Sequence, residues 1–414
     1  MRSILFLNRV YPPDEGATGE LLAELAAELV RGGWQVTVVT GRSSAEQPRS
    51  GLVAGVRVER VRSLPFTRAS HGRRALSYLS LYPALLWRAL RLPRAEVVVT
   101  LTDPPLQLLL GAVLQGLRGS RHVHWAQDLY PELAEELGLL RKDGVVAAWL
   151  RQLSTWALRR GDGVVAIGRC MKARLIARGV PAEVITVIPN WGRGHAASGV
   201  VGDEANPFRH EHGLAGRFVV MYSGNFGLAH PFEAILDAAE QLQSELPRVL
   251  FLFVGHGPCL GWVREQAAQR RLNNVRFLPR QPRENLGASL AAADVHLASM
   301  REELCGLVVP SKVYGVLAAG RPCLFLGPEA SEPAQLLRQS GCGSVLAPPT
   351  GAELAGCLAR WVNDPDLLRE TRPRLAAIAE RVGFSSAGQA FARTLGDVAA
   401  EKKLLRPIVE LPIQ

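Results

Sequence analysis

The chain has 414 residues, 48% hydrophobic and 21% charged, and a formal net charge of +10. That length is too great for one ordinary core and predicts two domains of roughly 200 residues, while the composition excludes a disordered chain. The six cysteines, Cys170, Cys259, Cys305, Cys323, Cys342 and Cys357, form no C-x-x-C pair, which argues against a disulfide framework or zinc site and for free thiols in a reducing compartment.

Taken in order, short apolar runs alternate with longer amphipathic ones. The opening MRSILFLNRVYPP is too short for a signal-peptide core or a membrane span, so the protein is expected on the cytoplasmic side. Within it Ser3–Asn8 reads as a strand. Gly19 to Arg31 follows as a helix, with Leu21, Leu22, Leu25, Leu29 and Val30 on one face and Gly32-Gly33 as its stop. Gln35–Gly41 completes a β-α-β unit. Val56–Val61, Glu96–Leu101, His122–Trp125 and Val164–Ile167 continue the strand series. Repetition of this unit predicts a parallel sheet covered on both faces. His122 and His124 alternate with Val123, and one of the two is expected to pack inward.

Between these strands, Arg60 to Ala95 holds eight arginines and no acid, interleaved with leucines, Tyr78, Tyr82 and Trp87. This mixture suits a surface resting on anionic lipid headgroups. The plainer reading is a core-facing helix with a solvated arginine face. No nucleic-acid motif accompanies the basic residues, so no nucleic-acid partner is expected. The most apolar long stretch, Val97 to Leu117, is broken by Asp103, Pro104 and Pro105 and reads as strand, turn and helix.

The pattern restarts after residue 200. Phe218–Ser223, Val249–Val254, Val275–Leu278, Val295–Ala298, Pro322–Leu326 and Ser344–Leu346 form a second strand series, with a helix at Phe232–Leu246. The joint falls in the polar, aperiodic stretch Asn190 to Asn206. The expected division is 1–195, 196–385, and a C-terminal helix and tail at 386–414 that can pack back on the first domain. The fold class is α/β, with two doubly wound domains facing a central cleft. Ligands in such sheets sit beyond the carboxyl ends of the strands, so the loops there should carry the chemistry.

Those loops have a distinct composition. After the first strand come Tyr11, Pro12, Pro13, Gly16, Thr18 and Gly19, whose glycines let backbone approach a ligand near the next helix. No G-x-G-x-x-G dinucleotide motif occurs there. Ser223-Gly224-Asn225 follows a strand of the second series and suits a diphosphate. Gly255-His256-Gly257 ends the next strand, where a flat ring could lie against bare backbone, and Pro279-Arg280 ends another. Pro310-Ser311-Lys312 opens a helix, placing a point charge beside helix amides as a phosphate contact would. In the first half, His122 to Glu132 ends a strand in Gln127-Asp128-Leu129-Tyr130-Pro131-Glu132. A carboxylate there could stabilise positive charge building at a reacting carbon. Asp128 is the first candidate for that role and Glu132 the second, and Asp128 as a cap for the helix near Pro131 is the structural alternative.

The order YPP…GATG, WAQDLYPE, IPNW, YSGN, VGHG, FLP and VPSKVYG…AAGRP resembles the family-four retaining glycosyltransferases of the GT-B fold, two Rossmann-like domains. Within them it is similar to the branch that builds bacterial surface polysaccharides, the colanic-acid and O-antigen N-acetylfucosaminyltransferase type. The resemblance implies a hexosyl transfer with retained configuration and no metal at the diphosphate. It implies a nucleotide-diphosphate sugar, UDP-linked, as a substrate rather than a cofactor. That donor would be held by Gly16, Ser223, Gly224, Asn225, Gly255, Gly257, Arg280, Pro310, Ser311 and Lys312, with Tyr11 and Thr18 on the acceptor side.

Two positions depart from the family's pattern. A pair of glutamates eight residues apart is replaced by Leu307 and Gly315, and the usual Arg and Lys after the first strand of the second domain are absent from SGNFGLAH. Lys312, with Arg301, is then expected to supply the missing positive charge. The acceptor implied is a polyprenyl-diphosphate-linked saccharide, and the location is the inner face of the plasma membrane as a peripheral protein. Two rivals stay open: an epimerase of the same fold, and a non-catalytic subunit that binds nucleotide-sugar.

Overall fold

A computed structural model describes residues 2–66, 71–142, 144–192, 205–347 and 350–400. Most of the expected joint at 190–206, part of the basic segment, and the tail from residue 401 lie outside the described residues. The chain divides into two compact units. The first comprises the described residues up to Pro189, with Gly306–Val308 and those from Gly388 onward. The second comprises the described residues of Asn190–Cys305 and Val309–Ala387.

The first unit runs β1 (Ser3–Leu7), α1 (Ala17–Arg31), β2 (Gln35–Gly41), β3 (Ser50–Val53), β4 (Val56–Val61), α2 (His71–Arg91), β5 (Val97–Thr100), α3 (Leu108–Arg118) and β6 (Arg121–Ala126). It continues with α4 (Glu132–Glu136), α5 (Val145–Arg160), β7 (Gly163–Ala166), α6 (Arg169–Ala177) and β8 (Ile185–Val187). These strands form one eight-stranded sheet in the order β3-β4-β2-β1-β5-β6-β7-β8. All pairs are parallel except β3 with β4. The β3–β4 hairpin turns through Ala54 and Gly55, both at positive φ, as a two-residue hairpin requires. Neither β3 nor β8 was expected: Ser-Gly-Leu-Val lacks apolar alternation, and β8 is only three residues long.

The core of this unit follows from strand alternation. Leu5, Leu7, Val39 and Val98 face one side and meet Leu81, Leu85 and Ala89 of α2 and Leu110 and Leu114 of α3. His122 and His124 are i and i+2 on β6, so they share a face, and both are buried. Thr100 Oγ1 on the neighbouring β5 bridges them, 2.9 Å from His122 Nε2 and 3.0 Å from His124 Nδ1. The expectation that one of the pair packs inward is corrected to both. Burial holds their pKa values down, to about 4 and about 3. Gly111 of α3 makes this possible, since a Cβ there would lie 2.1 Å from His122 Nε2.

The second unit runs α7 (Pro207–Glu211), β9 (Phe218–Asn225), α8 (Glu233–Glu245), β10 (Val249–His256), α9 (Leu260–Gln269), β11 (Val275–Leu278), α10 (Leu286–Ala291) and β12 (Val295–Ser299). It continues with α11 (Lys312–Ala318), β13 (Cys323–Leu326), α12 (Glu332–Ser340), β14 (Gly343–Leu346), α13 (Gly351–Asn363) and α14 (Pro365–Arg381). A last helix, α15 (Phe384–Ala399), passes from this unit into the first. The six strands form a parallel sheet in the order β11-β10-β9-β12-β13-β14. Alternate residues divide between its faces: Val220, Tyr222, Phe251 and Phe253 on one, Val219, Met221, Leu250 and Leu252 on the other.

In each sheet the strand order reverses direction once, between β1 and β5 and between β9 and β12. The loops leaving those strands are therefore where an open α/β sheet offers a crevice. No helix among the described residues is long and apolar enough to cross a membrane. All six cysteines are free; Cys323 and Cys342 are buried and the other four half-buried.

Candidate functional site

At the second unit's switch point, the loops after β9 and β10 meet backbone to backbone. Phe226 N donates to His256 O at 2.8 Å, and Cys259 N donates to Phe226 O at 3.0 Å. Gly255 and Gly257 have φ of +143° and +149°. A Cβ on Gly255 would stand 2.0 Å from Gly224 O, and one on Gly257 2.6 Å from Phe226 N and O. Only glycine permits both this conformation and this approach. Beneath the loops Tyr222, Phe226, Phe232 and Phe253 form a buried aromatic cluster, with Phe226 and Phe232 stacked at 5.2 Å. The floor is buried and apolar, and the rim is peptide backbone.

Lys312 lies over this rim. Its Nζ is 3.7 Å from the Tyr222 ring centroid and donates to the Tyr222 hydroxyl, which donates to Asn225 O at 3.0 Å. A Cβ on Gly224 would lie 3.8 Å from Lys312 Cε. Burial pulls the ammonium down to about 7, slightly offset by Cys323. The loop after β12 joins from the other side: Arg301 N donates to Ala229 O at 3.0 Å, and His230 Nδ1 meets Ser299 O. Burial, then Lys312, and more weakly Arg301, hold His230 at about 3 and hence neutral. Two cations thus converge on a backbone-lined loop that carries no acid from Ser223 to His230.

At the first unit's switch point, Arg9 after β1 and Asp103 after β5 form a bidentate pair at 2.7 and 2.8 Å. Arg9 N also donates to Asp103 O at 2.7 Å, and the guanidinium lies 4.0 Å from the Phe66 ring centroid. Asp128 leaves the neighbouring β6. Its chain is held by Leu129 N donating to Leu307 O at 2.8 Å and by a bridge to Val308. Its carboxylate has no hydrogen bond or ion pair among the described residues, so it caps no helix; α4 has Pro131 at its N-cap and no side-chain cap bond. Burial, reinforced by the charge of Asp103, raises its pKa to about 7. Opposed environments of this sort mark residues that handle charge in a reaction.

The other candidates divide by what surrounds them. Ser223, Gly224, Asn225, Gly255, Gly257 and Lys312 come together, while Arg280 is exposed one strand further from the switch point, beyond β11. Pro310 is buried and Ser311 exposed, with no cap bond from the serine side chain. Gly16 belongs to the first unit, where a Cβ would lie 2.7 Å from Val10 Cγ2; it packs the loop after β1. Thr18 accepts a 3.4 Å hydrogen bond from Asn8. Tyr11 is almost wholly buried, and that burial raises its hydroxyl to about 12, so its ring supports the loop rather than facing solvent. Glu132 is engaged by Arg178 at 3.3 Å and Arg151 at 3.6 Å. Leu307 is buried, and Gly315 has open space where its side chain would be. Arg9, Asp103 and His230 were not singled out from sequence; Arg9 lies two residues after β1 and Asp103 three after β5, which is the only local signal they carry.

Two doubly wound parallel sheets in tandem, each with its switch-point loops enriched in glycine or charge, are the GT-B architecture of glycosyltransferases. Residues 16–191 match the family described as glycosyl transferase 4-like domain, and residues 205–381 match glycosyl transferases group 1. The chain therefore carries one glycosyltransferase domain of each kind. It is 30% identical over 253 residues to "Probable glycosyltransferase WbjE" of Pseudomonas aeruginosa, covering 61% of this chain and 62% of that one. It is 31% identical over 243 residues to "Putative colanic acid biosynthesis glycosyl transferase WcaI" of Escherichia coli (strain K12), covering 58% of each. The matched region spans about three fifths of these two relatives. Among solved structures, Anabaena HepE in complex with UDP and glucose superposes with a TM-score of 0.72 at 19% identity, covering 96% of this chain and all of that one.

Proposed function

We propose that this chain is a retaining glycosyltransferase that moves a hexosyl group from a nucleotide-diphosphate sugar, UDP-linked, to a lipid-linked saccharide in surface polysaccharide biosynthesis. The observation that carries the reading is the backbone-lined crevice of Gly224, Gly255 and Gly257 with Lys312 and Arg301 converging on it. Amides and two cations suit a diphosphate, and glycines without side chains admit a flat base. The UDP held by the solved relative HepE supports the choice of nucleotide.

In this reading the second unit holds the donor and the first takes the acceptor. The diphosphate leaves on the face where the acceptor hydroxyl arrives and accepts its proton. Lys312 and Arg301 stabilise the leaving charge, so no metal is required at that point and no resident cofactor takes part. Asp128 is the carboxylate that stabilises positive charge at the anomeric carbon. The protein's contribution is positioning and electrostatics. The membrane enters through the acceptor and through the outer side of α2, where Leu76, Leu79 and Trp87 are exposed beside arginines. A peripheral position on the cytoplasmic side follows from this reading.

A panel of nucleotide-sugars tested for thermal stabilisation, followed by release of nucleotide diphosphate with and without a polyprenyl-linked acceptor, tests the proposal. UDP-sugars are expected to stabilise by mass action. Stabilisation without turnover would assign the chain to a non-catalytic binding subunit.

A further inference from the structure

The sequence drew attention to α2, yet the most exposed apolar helix of the first unit is α5. Its sequence, VVAAWLRQLSTWALRR, contains no acid. Ala147, Ser154, Ala157 and Leu158 face inward. Outward stand Val145 (88% exposed), Val146, Trp149 (60%) and Trp156 (52%). A helix facing only water places charged and polar residues there. α3 packs against both α2 and α5 and exposes Val113 and Leu117. The three helices thus form one layer with an apolar outer side, and among the described residues every exposed tryptophan of this unit lies on it.

A cavity of about 630 Å³ runs along the same helix, between Thr155, Trp156, Arg159, Arg160 and Arg178. Arg178 is balanced by Glu132, and Arg151 by Glu132 and Glu135. Arg159 and Arg160 have no ion pair among the described residues, and the Arg160 guanidinium lies 5.9 Å from the Trp156 ring centroid. Two surplus cations therefore border exposed tryptophan and valine. Phosphate beside an acyl-chain boundary offers both complements at once, whereas a nucleic acid would leave the two valines uncovered.

We propose that the outer side of the α2–α3–α5 layer docks on an anionic bilayer, with Trp149 and Trp156 entering the interface and Arg159 and Arg160 taking a headgroup phosphate. This deepens the membrane contact proposed above and rests on it. The test uses the full chain with vesicles of phosphatidylglycerol and phosphatidylcholine, without donor or acceptor, so its outcome is independent of sugar transfer. Phosphatidylglycerol vesicles should shift tryptophan emission to the blue and shield it from acrylamide, and phosphatidylcholine alone should not. The W149F/W156F variant should still bind but lose most of the blue shift. The R159Q/R160Q variant should bind roughly thirtyfold more weakly, from about 1 kcal/mol for each arginine. Full blue shift in W149F/W156F, or wild-type binding by R159Q/R160Q, overturns the assignment. So does a third result: millimolar inorganic phosphate stabilising the wild type but not R159Q/R160Q, with no vesicle binding, which would make the cavity a site for soluble phosphate.

Discussion

Replacing Asp128 with asparagine separates what this carboxylate does for folding from what it does for transfer. Its pKa rises from 3.8 to about 7, chiefly through burial and then through Asp103. The folded state therefore keeps a proton that the unfolded state has already lost between these values. Stability is lost as pH rises from about 4 to 7, and the full penalty persists above 7. At 1.36 kcal/mol per unit the ceiling is roughly 4 kcal/mol, and relaxation with water entry reduces the expected gain to on the order of 2 kcal/mol. Asparagine keeps the shape and abolishes the penalty. Asp128→Asn should match the wild type in thermal denaturation at pH 4 and melt roughly 4–8 °C higher at pH 8. The same protein should release nucleotide diphosphate from a bound donor at least a hundredfold more slowly, on the order of the loss of one charge-stabilising group. Wild-type activity should fall as pH drops through about 7, as the carboxylate gains its proton. Equal melting differences at pH 4 and pH 8, or undiminished turnover, would refute the reasoning.

Lys312→Ala should weaken nucleoside-diphosphate binding by about 1.5–3 kcal/mol, measured by titration calorimetry. Because burial lowers this lysine to about 7, wild-type affinity should be level below that pH and fall toward tenfold per unit above it, while Lys312→Arg should flatten the profile; equal slopes would exclude the lysine from the contact. Gly257→Ala should cost at least about 1–3 kcal/mol and abolish donor stabilisation, since its φ and the nearby Phe226 backbone leave no room for a Cβ. Gly315→Glu enters open space within α11 and should stabilise the protein by up to about 1 kcal/mol, read from urea midpoints; it should also tighten UDP more than 2′-deoxy-UDP, and equal tightening would count against a ribose contact. Arg88→Gln should destabilise by about 1–3 kcal/mol because it removes one of the two arginines, with Arg57, that pair at 2.7 Å with the wholly buried Glu59, whereas Arg91→Gln should cost little and act only on vesicle binding.

The amino-acid pattern alone determined the alternating elements of both sheets, the restart after residue 200, and the glycine loops at strand ends. These are local properties: apolar periodicity and the need for glycine are written within a few residues of the place they act. Expected strands such as Val275–Leu278 and Gln35–Gly41 have the same bounds in the structure. Pairing was not local. Arg9 and Asp103 are 94 residues apart, and Lys312 and Tyr222 are 90 apart; each pair meets only because strand order brings distant segments to one switch point. The basic segment shows the same limit. Arg88 looked like its neighbours in sequence, but the fold commits it to Glu59, and Arg60 is buried with a 2.7 Å hydrogen bond to Pro12 O. Likewise α5 drew no notice because exposed and buried tryptophans read alike until packing decides which side of a helix the sheet covers.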